Sequence, residues 1–308
     1  MENDQPILSL CIPTYGIVDW VMPLVESIYS QNCPENKFEV IITDNGKTED
    51  LEKALQKVQH ANLHYYHTTA SGYTNQIEAF KRGNGLFCKM INHRSRLLLG
   101  SIQKMIDLVE RYKDTRPILY FLDKQWPSDK LVECENLDSF CRTVSYWSSW
   151  SGGVGIWKED VNKIRPENIN QMYPHAVLLF YIRQQSRYVV WNEQFDIQAS
   201  DKGKGGYNVF EIFAVNYLNM MHKLLDEKRL KPSSFEQIRK DMMSFFRELY
   251  LNEVILRRFS IHTFIVDGAL KHLSVYYTPG EVRRMVCWCY LKAVKELPRK
   301  IIKSIIRK

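Results

Sequence analysis

An open α/β sheet followed by a helical C-terminal region is the fold class this sequence predicts. Two observations predict it. Short apolar runs alternate with helix-spaced segments over the first 125 residues, and from Asn208 onward the chain reads as helix almost to its end. A third observation fixes the kind of sheet. The runs are nearly continuous in apolar residues, as in strands buried on both faces, which is the habit of parallel sheets.

The elements follow in order. "ILSLCIP" (Ile7–Pro13) reads as a buried strand, and "VDWVMPLVESIYSQ" (Val18–Gln31) as a helix with a proline inside it. "FEVIITD" (Phe38–Asp44) is a second strand. "KTEDLEKALQKVQ" (Lys47–Gln59) is an amphipathic helix with acids in its first turn, the end that favours negative charge. "LHYYHT" (Leu63–Thr68) is a third strand, and "YTNQIEAFKRG" (Tyr73–Gly83) a helix closed by glycine. "LFCKMIN" (Leu86–Asn92) is a fourth strand, "SIQKMIDLVERY" (Ser101–Tyr112) a helix and "PILYFLD" (Pro117–Asp123) a fifth strand. The stretch Gln125–Gly206 is mixed and rich in Trp, Ser and Gly. The expected domains are residues 1–206, carrying the sheet, and 207–308, the helical region.

Composition narrows the classes. With 308 residues, 45% hydrophobic and 25% charged, the chain has enough apolar residues for a sizeable core. No run of roughly 18 apolar residues marks a spanning helix. The acidic, polar start Met-Glu-Asn-Asp-Gln-Pro argues against a secretory signal. Seven cysteines in no disulfide pattern read as reduced core thiols, and the pair Cys287/Cys289 lacks the further ligands a zinc site needs. Net charge is +7, and residues 281–308 hold nine Lys/Arg against two acids, so the excess lies in the tail. A nucleic-acid binder would carry it on a folded face, and no nucleic-acid partner is expected.

Familiar motifs are absent. No G-x-G-x-x-G follows the first strand, and the chain has no P-loop, no G-x-S-x-G and no H-E-x-x-H. In an open α/β sheet ligands bind beyond the carboxyl ends of the strands. That directs attention to Pro13-Thr14-Tyr15, Asp44-Asn45-Gly46, Ser71-Gly72-Tyr73 and Asn92-His93-Arg94.

In order and spacing, "LSLCIPTYG" (Leu8–Gly16), "FEVIITDNG" (Phe38–Gly46) and "GYTNQIEAFKRGNGLFCKMIN" (Gly72–Asn92) resemble the nucleotide-binding half of family-2 glycosyltransferases. "SGGVGIWKEDV" (Ser151–Val161) looks like that family's acceptor-side segment. "YPHAVLLFYIRQQ" and "GGYNVFEIFAVNYLN" look like the subset that builds bacterial capsule or lipopolysaccharide. The resemblance implies a GT-A-like, mostly parallel sheet flanked by helices, a nucleotide-diphosphate sugar as donor and a glycan or lipid-linked sugar as acceptor. It implies that Pro13, Thr14 and Tyr15 line the base and ribose pocket. Asp44 would contact the base, usually uracil, and Asn75 would approach the nucleotide.

The fourth strand of that family ends in an Asp-x-Asp signature that binds Mg²⁺ or Mn²⁺. Here "FCKMINHRSRLLLG" puts His93, Arg94 and Ser95 in its place. A divalent metal would lack its usual acidic ligands. Two accounts are open. In one the enzyme is metal-independent, with His93, Arg94 or Arg96 stabilising the leaving diphosphate. In the other a transferase fold has lost catalysis and binds a sugar, nucleotide or partner enzyme. Inversion by direct displacement needs a general base, and His175 and Asp123 are the candidates. Trp147, Trp150 and Trp157 would stack on sugars or pack in the core.

The tail "CYLKAVKELPRKIIKSIIRK" (Cys289–Lys308) sets Leu297, Ile301 and Ile305 at helical spacing with Ile302 and Ile306 beside them, and Lys300, Lys303 and Arg307 lie off that stripe. Pro298 would start this last helix. The pattern suits an interfacial helix on an anionic bilayer, hence a cytoplasmic protein peripheral to the inner face of the plasma membrane. The helical C-terminal third is also a surface on which a homodimer would form.

Overall fold

The computed structural model describes residues 5–126, 131–198 and 202–306, and also the backbone alone at a few positions of the last helix. The acidic start at residues 1–4 and the end at Arg307 and Lys308 lie outside the described residues. So do the side chains of Arg299, Ile302, Lys303, Ile305 and Ile306. The chain divides into two compact units, Met1–Phe140 with Trp147–Ser200, and Cys141–Tyr146 with Asp201–Lys308.

The first unit begins as the periodicity requires. Strands β1 (Leu8–Thr14), β2 (Phe38–Asp44), β3 (Leu63–His67) and β4 (Phe87–Met90) alternate with helices α1 (Val18–Tyr29), α2 (Asp50–Leu55) and α3 (Asn75–Arg82). Helix α2 is shorter than the span Lys47–Gln59 that its pattern suggests, and its buried residues are Leu51 and Leu55. Then come β5 (Ser95–Leu97), α4 (Ser101–Tyr112), β6 (Ile118–Phe121), β7 (Leu131–Cys134), α5 (Leu137–Val144), β8 (Gly155–Trp157), α6 (Lys158–Val161), β9 (Tyr188–Trp191) and β10 (Asp196–Gln198).

The main sheet has the order β3-β2-β1-β4-β8. Its first four strands are parallel and β8 is antiparallel to β4. The segment Ile118–Phe121 is a strand, as its apolar run predicts, but it is not the fifth strand of this sheet. It pairs with β9 in a separate sheet of order β6-β9-β7. A run of four buried apolar residues satisfies either partner, so pairing here is set by β9, about 70 residues further along the chain. The apolar faces of β1, β2 and β4 meet α1 and α4 in one core that includes Leu10, Ile12, Val25, Ile42, Phe87 and Val109. Trp157 belongs to that core: it is buried, its indole N–H donates to the Pro117 carbonyl (2.7 Å), and its ring meets Phe87 edge to face.

The second unit holds β11 (Gly205–Asn208), α7 (Leu218–Asp226), α8 (Pro232–Tyr250), β12 (Thr263–Ile265), α9 (Ala269–Leu273) and α10 (Pro279–Ile306). It also contains π-helical turns at Glu211–Tyr217 and Leu251–Ile255. The sequence puts the change-over near Gly206, and the compact unit takes in β11 as well because that strand pairs with β12. Pro298 lies inside α10 and does not start a helix. The helix begins instead at a capping box, where the Thr278 N–H donates to Glu281 Oε2 (2.8 Å) and the Glu281 N–H to Thr278 Oγ1 (3.3 Å). Val282, Met285, Cys289 and Ala293 bury one face of α10, while Tyr290, Leu291 and Val294 stand exposed on the other. Among the described residues no helix is long and apolar enough to cross a membrane.

Candidate active site

The carboxyl ends of β1 and β2 meet tightly. Thr14 and Asp44 are buried where the strands end, and the chain turns at Gly16 with a φ of 87°. A Cβ on Gly16 would lie 3.2 Å from Asp44 Oδ2, and one on Gly46 only 2.5 Å from the Tyr15 carbonyl oxygen. Glycine at these two positions is what lets the strand ends close on each other. Asp44 accepts the Gly46 N–H on Oδ1 (2.7 Å) and the Tyr65 hydroxyl on Oδ2 (3.0 Å). The carboxylate is therefore fixed in direction, with lone pairs left for a further donor.

Asn75 clamps this arrangement from α3. Its Nδ2 donates to the carbonyls of Thr14 (3.0 Å) and Thr43 (2.8 Å), and its Oδ1 accepts the Thr68 hydroxyl (2.9 Å). The residue is buried, and its amide is used inside the protein to hold β1, β2 and the end of β3 in register. Pro13 is half-buried beneath the turn, and Tyr15 is 49% exposed at its mouth.

After β4 the chain forms the corner Asn92–Ser95, closed by the Asn92 side chain accepting the Arg94 N–H (3.0 Å) and by the Ser95 N–H donating to the Asn92 carbonyl (2.9 Å). His93 reaches back to β1, with Nδ1 3.0 Å from Thr14 Oγ1. Its ring packs against Trp20 at 5.2 Å and Tyr15 at 5.5 Å. Burial, and then the charge of Arg94, pushes this imidazole down to about 4. His93 is thus neutral at physiological pH, and the corner holds fewer cations than its sequence suggests. Arg94 lies flat on Trp20, with Cζ 3.7 Å from the ring centroid, and is only 9% exposed. Nη1 of Arg94 and Nη1 of Arg96 are buried and meet no hydrogen-bond partner among the described residues.

A second group of ionisable side chains lies below the corner. Strand β5 pairs with β10, and the Ser95 hydroxyl donates to Asp196 Oδ2. Asp123, just past β6, accepts the N–H of Phe195 (2.8 Å) and, at longer range, of Asp196 (3.4 Å) on Oδ1. Burial, and then the Asp196 charge, raises Asp123 to about 7, against the lowering effect of those two N–H groups. A carboxyl poised there can take a proton at neutral pH. His175 is placed differently. It is 3% exposed, burial pushes its imidazole down to about 4, and the Ser149 backbone offsets this only in part. Among the described residues neither ring nitrogen meets a well-formed hydrogen-bond partner, and a ring neighbour is Tyr173.

The corner does not fit a divalent cation. The Asn92 oxygen is used by its own turn, His93 Nδ1 is turned to Thr14, and Arg94 is itself a cation. Among the described residues no cluster of three or more His, Cys, Asp or Glu side chains forms a metal site, the Cys287/Cys289 pair included.

Sequence reasoning missed Trp20, which carries Arg94, and the buried Lys89 and Asp196. Lys89 had a signal: it is a lone charge within the apolar run "LFCKMI". Asp196 had none.

Comparison with known proteins bears on the fold and on its first 85 residues. Residues 9–85 match the family described as Glycosyl transferase family 2, a span that carries Thr14, Asp44 and Asn75 and stops short of the corner. Among solved structures, the chain is similar to S. aureus TarS 1-349 in complex with UDP-GlcNAc, with 15% identity, a TM-score of 0.50, and coverage of 69% of this chain and 66% of that one. It is also similar to the mannosyltransferase PcManGT from Pyrobaculum calidifontis in complex with GDP-Man and Mn²⁺, with 14% identity, a TM-score of 0.53, and coverage of 94% and 81%. At such identities the likeness establishes the fold. The chain spans 65% of TarS 1-349 and 43% of a longer TarS structure. No curated protein matches it. The fold is the GT-A type of these glycosyltransferases, and residues 9–85 are similar to family 2.

Proposed function

We propose that this protein transfers a sugar from a nucleotide-diphosphate donor, with Arg94 standing where related enzymes place a metal ion. One observation carries the reading. A buried guanidinium at the end of β4, stacked on Trp20, presents an N–H with no partner among the described residues. Leaving such a group unpaired costs about 1–3 kcal/mol, and a diphosphate oxygen would satisfy it with a charge-assisted bond. The complexes of TarS with UDP-GlcNAc and of PcManGT with GDP-Man support a nucleotide-sugar donor. Asp44, an acceptor beside the turn at Gly16, suits the N3–H of uracil, so the donor is a UDP-sugar. Asn75 serves that contact by fixing the strand ends.

The transfer is inverting. The acceptor oxygen attacks the anomeric carbon, its proton passes to Asp123, and the bond to the diphosphate breaks with its electron pair leaving on the phosphate oxygen. Asp123 is preferred to His175 because it is partly exposed and held near neutrality, whereas His175 is enclosed. The acceptor is a glycan or lipid-linked sugar of bacterial surface polysaccharide. The exposed apolar stripe Tyr290, Leu291 and Val294, with the basic excess of residues 281–308, supports a peripheral position on the cytoplasmic face of an anionic membrane. Removing residues 299–308 should release the protein from anionic vesicles. Retention by vesicles unchanged, with a dimer in solution, would make the stripe a homodimer surface instead.

The test is thermal stabilisation by UDP, GDP and other nucleotide diphosphates, each with Mn²⁺ and with EDTA. Equal stabilisation by UDP in EDTA supports the reading, and a requirement for Mn²⁺ overturns its metal-free part. The missing carboxylates at the corner favour one rival, a non-catalytic protein that binds a sugar, nucleotide or partner enzyme. UDP binding without release of UDP from any UDP-sugar, together with stable co-purification with another transferase, would support that rival.

A further inference from the structure

The corner Asn92–Ser95 carries one arginine, and the strand that follows it carries another. Arg96 is the central residue of β5, between Ser95 and Leu97. Both neighbours turn inward, Ser95 with its hydroxyl on Asp196 and Leu97 in the hydrophobic core. Side chains alternate along a strand, so Arg96 stands on the other face of the ladder. Its cross-strand partner there is Ile197, which is 53% exposed. Arg96 is half-buried, yet its Nη1 is enclosed and meets no hydrogen-bond partner among the described residues. Nη1 of Arg94 is in the same state. Among the described residues no carboxylate pairs with either guanidinium. Elsewhere the chain does pair such side chains: Arg82 bonds Glu78, Arg183 bonds Glu159 and Asp160, and Arg239 bonds Glu236 and Glu281.

Two unpaired cations within three residues repel each other and have donors to spare. A buried donor left without a partner is costly, and the planar fork of arginine matches phosphate oxygens. The imidazole of the corner adds no charge, since burial and then Arg94 push His93 down to about 4. The positive charge at the corner is therefore that of Arg94 and Arg96 together. It equals the charge of one divalent cation, and it offsets one negative charge on each phosphate of a sugar diphosphate. Arg94 alone would meet half of it.

We propose that Arg96 is a specificity-determining residue that binds the second phosphate of the donor, the one joined to the sugar, while Arg94 binds the first. The inference rests on the reading that Arg94 meets the donor's diphosphate, and it adds a way of telling nucleotide-diphosphate donors from nucleotide-monophosphate ones. The order follows the chain. Thr14 and Asp44 end β1 and β2 at the nucleoside end, His93 bonds Thr14, and Arg94 and then Arg96 follow as the chain leads into β5. Two residues of extended chain span about 7 Å, a gap that two long side chains close onto neighbouring phosphates. When the bond to the anomeric carbon breaks, its electron pair goes to an oxygen of the second phosphate. Arg96 thus meets the charge that grows in the transition state.

The experiment is calorimetric titration of the full chain with UDP, UMP and inorganic diphosphate in EDTA, for wild type, Arg96→Ala, Arg96→Lys and Arg94→Ala. Arg96→Ala should weaken UDP and inorganic diphosphate by roughly 10- to 100-fold, the range for a hydrogen bond to a charged group, and leave UMP nearly unchanged. Arg96→Lys, which keeps the charge and loses the fork, should recover part of the loss. Arg94→Ala should weaken UMP and UDP alike. A ratio of UDP to UMP affinity that is the same in Arg96→Ala as in wild type overturns the proposal, because a merely structural arginine weakens both ligands together. If Arg96→Ala does not fold, Arg96→Gln decides by the same ratio. Wild type that binds neither UDP nor UMP refutes the donor reading itself, and this inference with it. Wild type that binds UDP only with Mn²⁺ shows that a metal, and not the arginine pair, meets the diphosphate.

Discussion

Replacing Asn75 by alanine removes the clamp at the strand ends, and its cost can be worked from the contacts. Three buried hydrogen bonds are lost: two donated to the Thr14 and Thr43 carbonyls and one accepted from Thr68. A net bond contributes roughly 1 kcal/mol, and a buried partner left unpaired costs about 1–3 kcal/mol. The Thr43 hydroxyl still bonds the Asn75 backbone carbonyl, so part of the α3 contact survives. The expected loss is about 3–5 kcal/mol, a large fraction of the total for a marginally stable domain. Asn75→Asp should be no milder, because a carboxylate there would face two carbonyl oxygens. Urea unfolding, followed through the midpoint at constant m-value, measures the change. UDP affinity should fall alongside, since Thr14 and Asp44 lose their register. A loss under about 1 kcal/mol for Asn75→Ala would refute the reasoning. So would intact stability with lost UDP binding, which would make Asn75 a direct nucleotide contact and not a clamp.

Three further outcomes are expected. Arg94→Ala should weaken UDP binding in EDTA by roughly 10- to 100-fold, the range for a hydrogen bond to a charged group, and Arg94→Lys should recover little because an ammonium cannot lie flat on Trp20 as the guanidinium does; calorimetry measures both. His93 and His175 are held at about 4, below the unfolded value near 6.5, so the folded state binds fewer protons than the unfolded one between these limits. Their neutral burial is fully tolerated above pH about 6.5, and stability is lost as pH falls toward about 4; His175→Leu should flatten part of that loss in thermal unfolding followed across pH. Thr278→Ala should cost about 1 kcal/mol by opening the cap of α10, read as a lower urea midpoint.

The strands that carry Thr14 and Asp44 were legible because parallel burial writes itself as an unbroken apolar run. Leu8–Thr14 and Phe38–Asp44 show that pattern, and Thr14 and Asp44 fall at their ends. Pairing was not legible where a run is short. Ile118–Phe121 reads as a strand in either sheet, and its partner is selected by a segment distant in the chain. The polar corner was legible because its residues are adjacent, as in Asn92–Ser95. Chemistry was hidden where distance in sequence decides it. Nothing local distinguishes Asp196 from a solvated acid, and its burial depends on Ser95, 101 residues earlier. The burial of Arg94 is not legible in the corner's own residues because its platform, Trp20, lies on α1. His93 looked cationic because burial, which removes its charge, is a tertiary property.

The corner that follows β4 does not continue the main sheet. It leads into β5, which among the described residues pairs with β10 in a two-stranded ladder of its own. The turns that close on Asp44 belong to the main sheet, and the segment that carries Arg94 hangs from the ladder. Such a division makes the fold evolvable at one point and conservative at another. The exposed ladder side chains Ile197 and Gln198 can be exchanged without repacking the strands that hold Asp44. The corner itself is not free in this way: His93 bonds Thr14 and packs on Tyr15, so a change of charge there is felt at the end of β1.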